Sequence, residues 1–61
     1  MKPYVVEVKL PDGSWWPVIG YEFDTLDEAA EALFSIPDDD RERHRVSMIV
    51  YRYEPVPEGL L

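Results

Sequence analysis

The stretch that decides the fold is Asp24–Ser35, DTLDEAAEALFS. Its apolar residues recur at intervals of three and four positions. They are Leu26, Ala29, Ala30, Leu33 and Phe34. This spacing places them on one stripe of an α-helix, with acidic residues on the remaining arc. The sequence therefore predicts one amphipathic helix, and its apolar stripe must pack against the segments on either side.

Two signals bound this helix. Thr25 and Glu28 have the form of a capping box, in which the threonine hydroxyl accepts from the free N–H three residues on. The glutamate of such a box reaches back to the amide of Thr25. Pro37 ends the segment, because the residue before a proline is pushed out of helical geometry. We therefore expect the helix to lie within residues 24–35.

The segment before the helix predicts a β-hairpin. Residues 4–10, YVVEVKL, alternate as a strand, and residues 11–13 supply a turn with Gly13 in the left-handed position. The register that follows pairs Leu10 with Ser14, Val8 with Trp16, Val6 with Val18 and Val5 with Ile19. Pro17 cannot donate a ladder hydrogen bond, so this second strand is expected at an edge of the sheet. Gly20 is expected to mark a bulge or bend.

The segments after the helix complete the expected fold. Residues 37–44 predict an exposed polar loop, and residues 45–54, RVSMIVYRYE, predict one last strand. The fold class is α+β: a ββαβ domain over residues 1–54 with an extended tail over 55–61. Its three-stranded antiparallel sheet has the order 2-1-3, and the helix packs on one face. The alternative, a last strand parallel to the second, would bury Pro17 in a central strand.

One short helix covers only one side of such a sheet. The other side is predicted to carry Val5, Trp15, Ile19, Ile49, Tyr51 and Tyr53. Exposed together, these side chains would form a patch of a size that usually marks an interface. Three occupants are open at this point: the C-terminal tail folded back through Val56, Leu60 and Leu61, a second copy of the chain, or a foreign partner.

The net charge of −7 is unevenly placed, since no basic residue lies between Lys9 and Arg41. Such a field repels phosphate backbones and anionic lipid, which argues against direct nucleic-acid binding and against a membrane surface. The charge serves solubility or forms an acidic face for a basic partner. The residues of that face would be Asp27, Glu28, Glu31, Asp38, Asp39 and Asp40.

Candidate chemistry is sparse. A catalytic role for His44, with Asp38–Asp40 and Ser47 nearby in sequence, lacks the spacing and the pocket that such a set needs. The three aspartates lack the alternating ligands of a calcium loop, and no cysteine is present. Basic residues cluster only at Arg41, Arg43, Arg45 and Arg52. We predict no enzyme, no cofactor and no metal site.

Residues 16–18 (WPV), 23–29 (FDTLDEA) and 45–46 (RV) form a pattern that resembles small orphan proteins of actinobacteria and their phages. In those proteins a hairpin with a tryptophan leads to an F-x-T-x-x-E-A helix and a closing strand. The resemblance implies a ββαβ fold and a host-interaction or accessory role. Residues 24–29 are also similar to the helix that follows a hairpin in the antitoxin partner of HicAB-type toxin–antitoxin pairs.

The sequence thus predicts a non-enzymatic protein-interaction module, a homodimer joined through the helix-free sheet face. The alternative is a small acidic phage-type inhibitor or antitoxin that binds a basic, nucleic-acid-handling protein. No apolar run approaches the length of a membrane span, and no signal-peptide pattern opens the chain. We therefore expect a cytoplasmic protein.

Overall fold

The computed structural model describes residues 2–50 and 52–61 and has an α+β fold. Two strands, two helices and two further strands follow one another, and the four strands form one sheet. In chain order they are β1 (Tyr4–Lys9), β2 (Trp15–Phe23), α1 (Leu26–Phe34), α2 (Asp38–Arg41), β3 (His44–Ile49), β4 (Tyr53–Pro55) and a 3-10 turn (Glu58–Leu60). All pairs of neighbouring strands are antiparallel, and the strand order is β2-β1-β3-β4.

The predicted arrangement of the first three strands is confirmed. β1 lies between β2 and β3, and α1 packs against all three of these strands on one face. The alternative in which β3 runs parallel beside β2 is wrong. Pro17 therefore lies in an edge strand, where its missing N–H leaves no gap in the ladder.

The prediction of three strands is wrong, because the expected single strand over residues 45–54 is a hairpin. The chain turns back after Ile49, and β4 pairs with β3 with Ile49 opposite Tyr53. Residues 50–52, VYR, include none of the residues that favour turns, so the sequence carries no signal there. The sheet gains a fourth strand on the side away from β2.

Residues 55–61 also differ from the predicted extended tail. The N–H of Val56 donates to the carbonyl of Val46 at 2.8 Å, and Val56 and Leu61 pack against the core. A 3-10 turn over Glu58–Leu60 lies between them. The packed domain therefore runs past the predicted boundary at residue 54 to the end of the chain.

The hairpin turn between β1 and β2 is as predicted. The N–H of Leu10 donates to the carbonyl of Ser14 at 2.8 Å, and Gly13 has a φ of 90°. Only glycine adopts that angle without strain, so the residue type and the turn agree. The predicted pair of Val8 with Trp16 follows in the ladder.

Beyond Pro17 the register differs from the prediction. Glu7 lies opposite Pro17, but Val5 lies opposite Glu22, so its predicted pairing with Ile19 is wrong. The four residues 18–21 of β2 lie opposite a single residue of β1, so they form a large bulge. Gly20 has a φ of 87°, which confirms the bulge predicted at this glycine. We call residues 18–21 the β2 bulge.

The helix prediction is confirmed, with Thr25 as the N-cap and Ser35 as the C-cap of α1. The hydroxyl of Thr25 accepts from the N–H of Glu28 at 3.2 Å and donates to its carboxylate at 3.1 Å. The carboxylate of Glu28 thus accepts from the hydroxyl of Thr25, instead of from the backbone amide of Thr25 as in a full capping box. The cap still satisfies one of the free donors at the start of the helix.

The core lies between α1 and the sheet. Ala29 and Leu33 of the helix are buried against Val6 and Val46 of the two central strands. Phe34, predicted on the buried stripe, is 46% exposed. The helix ends there, and the following turn directs Ile36 toward the core in its place.

The predicted loop over residues 37–44 contains a short helix, α2. Asp38 pairs with Arg41, and Asp40 pairs with Arg43 at 2.8 Å. The guanidinium of Arg41 also lies 5.3 Å from the centroid of the Phe34 ring, which ties α2 to the end of α1. Local ion pairs and this stacking stabilise one helical turn where the sequence indicated only polar residues.

Candidate functional site

The strand pairing defines the side of the sheet that α1 leaves uncovered. The side chains of residues directly opposite one another lie on the same face, so the strand pairing assigns each side chain to one of the two faces of the sheet. We call this side the helix-free face. Its residues are Val5, Glu7, Lys9, Trp15, Pro17, Glu22, Arg45, Ser47, Ile49, Tyr53 and Pro55.

A buried carboxylate lies at the centre of the helix-free face. Glu7 is only 1% exposed, and its Oε1 accepts hydrogen bonds from Nε of Arg45, at 2.9 Å, and from the hydroxyl of Ser47. Ser47 is fully buried as well. A buried charge is tolerated only when it is paired and hydrogen-bonded, and Glu7 meets both conditions.

The indole of Trp15 completes this cluster. The guanidinium carbon of Arg45 lies 4.1 Å from the centroid of the Trp15 ring, in a cation–π contact. Trp15 belongs to β2 and Arg45 to β3, so the contact spans β1. Arg45 is thereby held from two sides, by the carboxylate of Glu7 and by the indole. We call Glu7, Trp15, Arg45 and Ser47 the Arg45 cluster.

The sequence did not predict this cluster. From the sequence, Arg45 counts only among the basic residues and Ser47 only as a hydroxyl near His44. The signal that could have identified it is a glutamate among valines in a central strand, since a buried acid requires a basic partner. The partner lies 38 residues away, and only the β1–β3 register brings Glu7 and Arg45 together.

The predicted interface residues differ in accessibility. Val5 is 1% exposed within the domain and offers no surface to a partner. Trp15 and Ile49 are half-buried, and Tyr53 is 41% exposed. Ile19 is 98% exposed and lies within the β2 bulge. Tyr51 lies outside the described residues.

The C-terminal tail does not cover the helix-free face. Val56 and Leu61 pack against the core on the helical side, with Val6 and Leu33. Leu60 is 68% exposed and lies beside a small apolar groove, of about 250 Å³, that includes Leu26 and Met48. The C-terminal tail, one of the three occupants proposed from the sequence for the helix-free face, therefore lies on the helical side of the sheet.

The helix-free face is balanced in charge although the chain is strongly acidic. The residues that the ladder places on it include two acids, Glu7 and Glu22, and two bases, Lys9 and Arg45. The excess of seven negative charges therefore lies elsewhere in the chain. The helix-free face itself therefore carries no net charge among the described residues.

Both outer edges of the sheet carry a proline. The bond from Leu10 to Ser14 directs the backbone of Trp16 toward β1, so the nitrogen of Pro17 points outward. On the opposite edge, the bond from Val56 to Val46 directs the nitrogen of Pro55 outward in the same way. A proline at these positions removes a donor that an added strand would use. These prolines therefore disfavour the addition of a further strand at either edge.

The predicted acidic face is divided by the structure. Asp38 is paired with Arg41, and Asp40 is paired with Arg43. Asp39, the remaining aspartate of α2, is exposed and forms no salt bridge among the described residues. On α1, Glu28 is hydrogen-bonded to the N-cap residue Thr25, and Asp27 and Glu31 are exposed. Among the described residues, the carboxylates of α1 form no salt bridge.

His44 lies at the start of β3, on the helical side opposite Val8. Its Nδ1 is 2.7 Å from the carbonyl of Asp40, so it supports the end of α2. Within the described part of the chain, no group of three His, Cys, Asp or Glu side chains is placed to hold a metal ion. His44 also borders a groove of about 340 Å³ that is lined in part by Leu33, Val46 and Val56.

No helix in residues 2–50 and 52–61 is both long and apolar enough to cross a membrane. Comparison of the chain with protein-family models, with curated proteins and with solved structures finds no match.

Proposed function

We propose that this protein is a non-enzymatic interaction module of the cytoplasm that self-associates through its helix-free face. The observation that carries the proposal is the charge balance of this face in a chain of net charge −7. Two copies that met through their acidic helices would repel each other. Two copies that meet through the balanced faces bring the partly exposed Trp15, Ile49 and Tyr53 together.

The size of the face limits the strength of this association. Strands about 4.8 Å apart, each about six residues long at about 3.3 Å per residue, give a projected area of about 400 Å² per copy. The interface would then bury on the order of 800 Å² in total, below the roughly 1,200–2,000 Å² of stable specific complexes and in the range of weak, transient ones. We expect a dimer in rapid exchange, with a Kd on the order of 100 μM.

Sedimentation velocity over about 10 μM to 1 mM tests the proposal. Tyr53→Glu adds a charge at an exposed position of the face and should keep the protein monomeric throughout. The matched control is Leu60→Glu, which adds the same charge at an exposed position on the helical side. A wild-type chain that stays monomeric to 1 mM, or two variants that weaken association equally, would contradict the proposal.

Trp15 is a poor position for this test because it supports Arg45. A change of Trp15 to glutamate would disturb the Arg45 cluster as well as the surface. Ile19→Glu is the better second variant, since Ile19 makes almost no contact within the domain. Loss of association in this variant would extend the interface to the β2 bulge.

The second candidate is a small acidic inhibitor or antitoxin that binds a basic, nucleic-acid-handling protein. It is supported by the exposed carboxylates of Asp27 and Glu31, which have no salt-bridge partner among the described residues. Binding of this kind is strongly screened by salt and should be lost at about 0.5 M NaCl. Association through the balanced face should persist at that concentration.

A further inference from the structure

The side chain of Arg45 is fixed in place but keeps donors to spare. Its Nε donates to Glu7, and its guanidinium plane lies against the Trp15 ring. Within residues 2–50 and 52–61, its two terminal nitrogens donate to no protein acceptor. The side chain is still 28% exposed. A guanidinium held in this way loses little entropy when it binds a further acceptor.

The acceptor that suits these donors is a carboxylate. Terminal guanidinium nitrogens form short, charge-assisted hydrogen bonds with both oxygens of a carboxylate. Glu7 does not use these nitrogens, because it bonds to Nε. On the same face Glu22 is exposed, and among the described residues it has no salt-bridge partner.

We infer that Arg45 of one copy binds Glu22 of a second copy, so that two such pairs fix the register of the dimer. This inference rests on the proposed self-association. Glu22 lies on β2, opposite Val5, and Arg45 lies on β3, opposite Glu7. The two residues therefore lie on opposite sides of β1 and at different heights along it.

That placement suits a two-fold axis. An axis that lies in the interface, crosses β1 between Val5 and Glu7 and runs perpendicular to the line from Arg45 to Glu22 exchanges the positions of these two residues. Each Arg45 then meets the other copy's Glu22, and the contact is self-complementary. The pairing also places the axis near the centre of the helix-free face, so residues on both sides of the axis contact the second copy.

The test removes the charge of Glu22. General electrostatics and specific pairing with Arg45 predict opposite changes in the Kd of the dimer. Glu22→Gln removes one negative charge from a chain of net charge −7, so general electrostatics predicts equal or tighter association. Specific pairing with Arg45 predicts weaker association instead, by about tenfold in Kd, because two pairs are lost per dimer. The matched control is Asp27→Asn, the same charge change on the exposed side of α1, which should leave Kd equal or lower.

Sedimentation of these variants separates the inference from the proposal beneath it. A wild-type dimer with Glu22→Gln as tight as the wild type would overturn the pairing and leave self-association standing. A wild-type chain that is monomeric to about 1 mM would overturn both, since the pairing needs a dimer of this strength. A double-mutant cycle with Lys9→Gln discriminates further, because the effect of the changed net charge largely cancels in it. A coupling energy between Lys9 and Glu22 would assign Glu22 to Lys9 and overturn the role of Arg45.

Discussion

The guanidinium carbon of Arg45 lies 4.1 Å from the centroid of the Trp15 ring, so a side chain of β3 meets one of β2 over the intervening strand. The contact closes the Arg45 cluster above Glu7, which is 1% exposed. A sheet face with no helix on it is thereby given a buried centre of its own. This arrangement joins three strands through side chains as well as through the backbone ladder.

The first prediction concerns the buried pair of Glu7 and Arg45. Arg45→Met should lower the free energy of unfolding by about 3 kcal/mol or more, because it leaves the Glu7 charge buried without a partner. Adding Glu7→Leu to this variant should restore part of the loss. Urea unfolding of both single variants and the double variant gives the coupling energy, and strictly additive losses would show that the pair is not coupled.

The second prediction contrasts Leu33 and Phe34. Leu33 is 3% exposed, so Leu33→Ala should cost about 2–5 kcal/mol, which is much of the stability of so small a domain. Phe34 is 46% exposed, and Phe34→Ala should cost well under half as much, through the lost contact with Arg41. Thermal unfolding followed by circular dichroism measures both. Equal losses would mean that the core assignment within α1 is wrong.

The third prediction concerns the last six residues. A chain that ends at Pro55 lacks the core contacts of Val56 and Leu61 and the hydrogen bond from Val56 to Val46. We expect a loss of about 2–4 kcal/mol in urea unfolding. Leu60→Ser is the control, since Leu60 is 68% exposed, and it should change stability by no more than about 0.5 kcal/mol. An unchanged midpoint for the truncated chain would contradict the packed tail.

The fourth prediction concerns Asp12 in the hairpin turn. Hydrogen bonds from the side chain and then the backbone N–H of Ser14 lower the pKa of Asp12 from its ordinary value of 3.8. Because the folded pKa lies below the unfolded one, the turn gains stability above the unfolded pKa and loses it as the pH falls through the folded value. Ser14→Ala should raise the pKa of Asp12 toward 3.8, as measured by an NMR titration of the carboxyl carbon. An unmoved titration curve would mean that the backbone bond alone sets the shift.

The elements with local signals were predictable from the sequence. The stripe around Leu33, the cap at Thr25 and the glycine turn at Gly13 each depend on residues within a few positions of one another. The β2 bulge was foreseen at Gly20 for the same reason, although its width was not. The turn between β3 and β4 was missed because residues 50–52 are as suited to a strand as to a bend.

The candidate interaction surface was predicted less well. Its aromatic content followed from the alternation of the strands, but Val5 proved to be buried and Ile19 lies in a bulge. The contacts that define the surface, from Arg45 to Glu7 and to Trp15, join residues 30 or more positions apart. No periodicity carries such information.

By itself, then, the sequence determined one capped amphipathic helix, one hairpin and an antiparallel sheet with β1 in the middle. It did so because hydrogen bonding and side-chain alternation along a short segment restrict each element. The tertiary structure alone decided the fourth strand, the packed tail and the burial of Glu7 beneath Arg45. Those features depend on which distant strands become neighbours, and the energy of burying a charge is settled only when its partner is in place.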